Sequence, residues 1–290
     1  MARPASKKTQ EKSARHQSGS KRTAVGMTAD EIKNVEELSS PRTPVIYEVV
    51  RRLGEEELER PVTSLWWSGL AAGLSMSFSL LAQAVLLAHL PESSWRLLLA
   101  GFGYSLGFLM AVLGRQQLFT ESTITVVLPV LKDLSFANLY RLVRLWAIVF
   151  AANIAGTLFA ALFCSFTPVL PDELYRAMLE ISRILLTYSW RFMLFGGISS
   201  GFLIAAMVWM IPSAESAKVS IVVIMTWLIA VGGFTHIIAG SMEAFLLVIA
   251  GEWEWWRMLI DFMIPVLIGN MIGGTALFAL LSYAQVMEEI

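Results

Sequence analysis

Apolar residues in this chain come in long runs. Six stretches lack Asp, Glu, Lys and Arg altogether: 61–91, 97–114, 145–170, 192–214, 219–242 and 262–287. A bilayer's hydrocarbon core of about 30 Å takes roughly 20 helical residues to cross, so the pattern predicts six transmembrane helices. Two of the runs are too long for one crossing. The second continues past Arg115 through 118–131, and the fifth continues past His236 to Gly251. Each carries a polar cluster with glycine near its middle, which predicts two broken helices.

The runs also repeat. The first carries Ser68-Gly69-Leu70-Ala71-Ala72-Gly73 and the fourth Gly196-Gly197-Ile198-Ser199-Ser200-Gly201. The second breaks at Leu118-Phe119-Thr120-Glu121 and the fifth at Gly233-Phe234-Thr235-His236. The third holds Asn153-Ile154-Ala155-Gly156-Thr157 and the sixth Asn270-Met271-Ile272-Gly273-Gly274-Thr275. Three spans followed by three similar spans have opposite orientations, because three is odd. The expectation is an all-α integral membrane protein built as an inverted 3+3 repeat, with its site where the two broken helices meet.

Charge divides the chain in two. Residues 1–60 hold 12 of the 22 Lys and Arg and 10 of the 23 Asp and Glu. This predicts a cytoplasmic N-terminal tail over 1–60 and a transmembrane channel domain over 61–290. Residues 1–26 read as a disordered basic tail, with weak attraction to anionic lipid as a second reading, and lack the apolar core of a signal peptide. Val45, Ile46, Val49, Val50 and Leu53 recur at helical spacing after Pro41 and Pro44, which predicts a short amphipathic helix before the membrane. With the amino terminus inside, Arg51, Arg52, Arg60, Lys132, Arg141, Arg144 and Lys218 fall on the cytoplasmic side. Arg96, Arg176, Arg183, Arg191 and Arg257 fall outside. Seven against five, with an unexported tail, places both termini in the cytoplasm of a multi-pass protein of the cell (inner) membrane.

With 56% of residues hydrophobic and 16% charged, against about 25% charged in soluble domains, most soluble enzymes are excluded. A net charge of −1 gives no reason to expect nucleic-acid binding. Cys164 sits alone in an apolar run, so neither a disulfide nor a cysteine metal site is expected, and no other metal site or cofactor.

His236 is the candidate of most interest, as the one histidine inside a span and at a predicted break. An ionisable group there is a functional hypothesis by default, weighed against a buried hydrogen-bonded histidine. Thr120 and Thr235 are polar neighbours of the breaks. Leu118, Phe119 and Phe234 are expected to form a dry constriction, with ordinary packing as the competing reading. Arg115 and Glu121 must pair, reach a polar cavity or lie near an interface. Gln117 and Gln116 would satisfy backbone at the break or line a vestibule. Glu243 follows His236 by seven residues, two helical turns along the same face, and reads as a structural partner as readily as a pore residue. Asn153 and Asn270 read as helix cross-links or backbone caps more readily than as substrate contacts. Gly69, Gly73, Gly197, Gly201, Gly269 and Gly273 have small-xxx-small spacing for close helix packing. Trp66, Trp67, Trp253, Trp255 and Trp256 flank spans as interface anchors.

These motifs together resemble the formate/nitrite transporters. The carrying residues are Leu118-Phe119-Thr120, Gly233-Phe234-Thr235-His236 and the paired Asn-x-x-Gly motifs at Asn153 and Asn270. The resemblance covers about 60–285. It implies an aquaporin-like fold and a homopentamer in which each protomer carries a pore for small monovalent anions such as formate, nitrite or hydrosulfide. The family's central histidine maps onto His236 and its loop onto Leu118, Phe119 and Thr120. This sequence departs from the family where an acid often precedes the histidine (here Thr235) and where an asparagine often follows it (here Ala239-Gly240-Ser241). A pore asparagine corresponds to Gly201, and a vestibule cation has no clean match, with Arg183 nearby.

The expected function is a channel or transporter for small weak-acid anions, with a proton as partner through His236. No covalent chemistry is implied, so an enzyme is not expected. Two alternatives remain at this point: a neutral-solute pore of aquaporin type, which lacks the paired Asn-Pro-Ala signatures, and a non-conducting membrane scaffold.

Overall fold

The computed structural model describes residues 27–38 and 41–289, and the basic stretch 1–26 lies outside them. The chain divides into two compact units, 1–41 and 42–290. The first holds α1 (Ala29–Leu38). A capping box starts it: the Glu31 amide donates to the Thr28 hydroxyl at 3.2 Å, and the Thr28 amide donates to the Glu31 carboxylate at 2.7 Å.

The second unit is all-helical in its described residues. It begins with α2 (Thr43–Glu59), followed by α3 (Val62–His89) and α4 (Arg96–Leu113). After a break come the short α5 (Phe119–Thr125) and α6 (Val127–Lys132). Next are α7 (Phe136–Phe166), α8 (Asp172–Ser182) and α9 (Trp190–Met210). Then α10 (Lys218–Val231) and α11 (Ile237–Ile249) flank a second break, and α12 (Trp255–Val286) ends the unit. Five helices are long and apolar enough to cross a membrane: α3, α4, α7, α9 with its short extension to Ser213, and α12. A sixth apolar segment, α10 with α11, is divided at its break into helices of 14 and 13 residues.

Several helices run beyond the charge-free stretches. α7 starts nine residues before its run and includes Arg141 and Arg144, because its first turns extend past the hydrocarbon. α12 starts at Trp255 and contains two wide-turn stretches of π type, Leu259–Met263 and Ile272–Ala279. α8 was not anticipated; it packs on α3 and α11.

Helix α2 buries a face that overlaps only in part with the one its apolar spacing suggested. Tyr47, Val50, Arg51, Gly54 and Leu58 are buried, whereas Val45, Val49 and Leu53 are exposed. The cause is a close approach. A Cβ at position 54 would run into the Thr125 carbonyl, so only glycine lets α2 dock against the end of α5. Arg51 is held by Glu48 and Glu55, and Glu48 also takes Arg52 at 2.7 Å. Those arginines hold the Glu48 carboxyl down to about 2, against the cost of partial burial.

Two helix pairs form the frame: α3 against α7, and α9 against α12. Both are drawn together at glycines. A Cβ on Gly156 would meet the Leu70 carbonyl at 2.5 Å, and one on Gly269 would meet a Gly197 Cα at 2.9 Å. The short helices after the breaks are exchanged between the pairs. α5 packs on α9 and α12, and α11 packs on α7 and α3. The first turns of α5 and α11 are thereby brought together in the interior.

Candidate functional site

The two breaks share one backbone design. At the first, the Arg115 amide donates to the Val112 carbonyl at 3.3 Å and the Gln116 amide to Ala111 at 2.9 Å. At the second, the Gly233 amide donates to Ala230 at 3.2 Å and the Phe234 amide to Ile229 at 3.0 Å. Both are Schellman ends, which need a left-handed residue at the turn. Gly233 supplies it with φ +64 and Arg115 with φ 48. A non-glycine residue in that region costs about 1–2 kcal/mol.

Each break is then suspended from one asparagine. Asn153 Oδ1 accepts from the Phe119 amide at 2.9 Å, and its Nδ2 donates to the carbonyls of Gly69 at 2.7 Å and Gln117 at 2.9 Å. Asn270 Oδ1 accepts from the Ile237 amide at 2.9 Å, and its Nδ2 donates to Gly197 at 2.9 Å, Thr235 at 3.2 Å and the Ser200 hydroxyl at 3.0 Å. Both asparagines are fully buried. Their amide hydrogens are shared between carbonyls at the breaks, which water could not satisfy inside a membrane, and acceptors on the neighbouring α3 and α9. They tie helices together, and neither presents a donor to a solute.

Thr120 and His236 meet where the breaks converge. The Thr120 hydroxyl lies 2.8 Å from His236 Nε2, with both side chains buried. His236 also caps α11, its Nδ1 accepting from the Ala239 amide at 3.2 Å. In the neutral ring Nδ1 is then the acceptor, so the proton sits on Nε2 and is donated to Thr120. The edge of the Phe108 ring meets the imidazole, with centroids 5.0 Å apart. Phe108 carries no polar signal in the sequence; it is one phenylalanine in an apolar span.

The other predicted residues are placed differently. Phe119 packs on Phe150 and Trp146 of α7, with centroids 5.2 and 6.1 Å apart, and Leu118 is buried among the core side chains. Phe234 lays its ring over Gly232. The Thr235 hydroxyl donates to the Met193 carbonyl at 2.8 Å, a helix tie. Arg115 is exposed, and among the described residues no ion pair joins it to Glu121, which is half-buried. Gln117 donates its Nε2 to Glu57 at 3.3 Å, and its amide donates to the Ser68 hydroxyl at 3.0 Å. Glu57 of α2 also accepts from the Thr125 hydroxyl at 2.6 Å. The sequence offered no sign that this acidic helix reaches the first break. Glu243 is buried on α11. Among the described residues no group of three or more His, Cys, Asp or Glu is placed to hold a metal.

The profile of the family described as "Formate/nitrite transporter" matches residues 44–284. The chain belongs to this family. It is 42% identical over 249 residues to the inner membrane protein YfdC of Escherichia coli K12, covering 86% of this chain and 80% of that protein. It is 24% identical over 242 residues to the formate channel FocA of Haemophilus influenzae, covering 74% and 84%. The fold is that of a solved pentameric formate channel with formate bound (TM-score 0.65, 21% identity, 79% of this chain and 98% of that one). An ion channel of the same family superposes with a TM-score of 0.70 at 18% identity, over 84% and 98%.

Two positions singled out by the resemblance now have a geometry. A Cβ at Gly201 would lie 2.8 Å from the Asn270 Cα, so no larger side chain fits there without moving α12. Position 201 is a contact between helices and has no room for the asparagine the resemblance assigned to it. Arg183 is engaged in a two-point contact with Glu252, at 2.7 and 2.8 Å, and that contact pulls the Glu252 carboxyl below its ordinary value. Its charge is therefore largely committed to that partner.

Proposed function

We propose that the chain is a pore for small monovalent weak-acid anions such as formate or nitrite, assembled as a homopentamer in the inner membrane. In this reading six spans form an inverted 3+3 repeat, with both termini cytoplasmic. Family membership supports a transporter and favours neither the neutral-solute pore nor the scaffold. The observation that carries the reading is the Thr120–His236 bond between the first turns of the two exchanged helices.

Because His236 donates to the Thr120 oxygen, the Thr120 hydroxyl hydrogen is free to turn toward a solute. An anion that loses water there gains one oriented donor and the positive end of the α11 dipole. No fixed negative charge belongs to the pair. A second proton enters the ring only at Nδ1, which already accepts from Ala239. A charged His236 must therefore release the cap of α11, and any proton coupling through the ring is tied to that release.

Formate and nitrite flux into liposomes containing only this protein tests the reading. Thr120→Val keeps the shape and removes the donor, so flux should fall at least about tenfold, equivalent to about 1.4 kcal/mol, with the oligomer intact. Flux unchanged in that variant would remove Thr120 from the pathway. A parent protein that passes glycerol but no anion would favour the neutral-solute pore.

A further inference from the structure

An open groove of about 400 Å³ runs between the first turns of α3 and the middle of α7. Its walls are Val62, Trp66 and Trp67 on one side and Ala147, Ile148 and Ala151 on the other, with Thr63 as its polar exception. Both tryptophans are exposed, Trp67 at 66%. They stand at the start of a span, the depth where indole rings bridge headgroups and acyl chains.

Two arginines stand at the head of the groove. Arg60 lies two residues before α3, its Nη2 donating to the Ser64 hydroxyl at 2.9 Å, and Arg144 lies one turn before Ala147 and Ile148 on the same face of α7. Arg144 Nη2 donates to the Arg60 carbonyl at 3.0 Å, which locks them side by side. Arg144 Nε is enclosed by the protein, while the residue as a whole is half-buried and keeps part of its surface open. Neither arginine forms an ion pair among the described residues. Glu57, whose carboxyl feels the Arg60 charge, is committed to Thr125 and Gln117. Glu59, Asp133 and Arg141 line a separate polar cleft.

We infer that this groove holds an anionic phospholipid, its phosphate against Arg144 and Arg60 and one acyl chain between the tryptophans and α7. Charge complementarity selects this occupant. A zwitterionic lipid offers the same phosphate but sets its own headgroup cation against the two arginines, and a free phosphate would leave the apolar walls in contact with bulk lipid. Guanidinium donors match phosphate oxygens in geometry as well as charge.

Native mass measurement on the full chain in mild detergent, titrated with phosphatidylglycerol or phosphatidylcholine, tests the inference. Phosphatidylglycerol should be retained preferentially. Arg144→Gln should weaken that retention roughly fivefold, the scale of one basic residue at an anionic membrane surface. Arg144→Lys, which keeps the charge, should lose less. Ala151→Phe, at an exposed position, should fill the groove and reduce retention with both arginines in place. Equal retention of the two lipids overturns the inference. So does displacement of phosphatidylglycerol by equimolar inorganic phosphate. A change in subunit number with Ala151→Phe, without a change in lipid, would show that a second copy of the chain occupies the groove.

Discussion

Arg115 occupies a left-handed turn that the second break gives to Gly233. Arg115→Gly should relieve about 1–2 kcal/mol of strain, less about 0.4–1 kcal/mol for the freer unfolded chain. The net expectation is stabilisation of about 1 kcal/mol, read as a rise in the unfolding midpoint in detergent. Gly233→Ala should do the reverse by about 1–2 kcal/mol, because its Cβ would also lie 2.8 Å from the Tyr188 hydroxyl. If the two substitutions move stability in the same direction, the shared turn geometry is not what governs it. At His236 the ring is both helix cap and hydrogen-bond partner of Thr120. His236→Gln keeps hydrogen-bonding capacity but cannot titrate, so anion flux between about pH 5 and 8 should lose its pH dependence. A profile identical to the parent's would leave His236 a packed core residue. That the two breaks converge was readable from the order of the motifs, but their register was not: the asparagine bonds pair Gln117 with Thr235 and Phe119 with Ile237, so Leu118 and not Thr120 corresponds to His236. The Phe108 contact was not readable, because an aromatic inside an apolar span carries no mark of which neighbour it faces.

Among the elements, the breaks were legible because glycine and polar side chains interrupt otherwise unbroken apolar runs. The ends of α7 and α12 were not, because a helix continues past the bilayer while a charge-free run stops at its surface. Helix α2 was legible as a helix but not in its docking, which depends on Gly54 and on the reach of Glu57 across to Gln117 and Thr125. Burial pushes the Glu57 carboxyl above its ordinary value, with the Thr125 and Gln117 bonds and the Arg60 charge pulling the other way and Glu56 adding to the rise. A carboxyl raised in the folded state favours docking when protonated. That contribution is complete below the unfolded value and is lost as pH rises through the folded one. Amide exchange over 43–59, corrected for the intrinsic rate, should therefore be faster at pH 8 than at pH 5. Glu57→Gln should flatten the difference. A parent helix that exchanges alike at both pH values would show that Glu57 stays charged in place.

For the whole molecule, the reading proposed above predicts five protomers in mild detergent and lipid, and native mass measurements giving only monomers in both would count against it. The span count and the antiparallel halves rest on motif order and belong to that same proposed reading. The last helix has a further consequence. A π turn holds more residues than an α turn, so α12 stores spare length at Leu259–Met263 and Ile272–Ala279, on either side of Asn270. A helix with stored length has a reserve against loss of a residue. Deleting one residue within 272–279 should tighten the coil locally and leave Asn270 in register with Ile237, so the oligomer should still assemble. The same deletion in α7 after Asn153 has no wide turn to draw on and should turn the half that follows it by about 100°, abolishing assembly. Membrane expression followed by size-exclusion profiles of the two deletions would measure that slack directly.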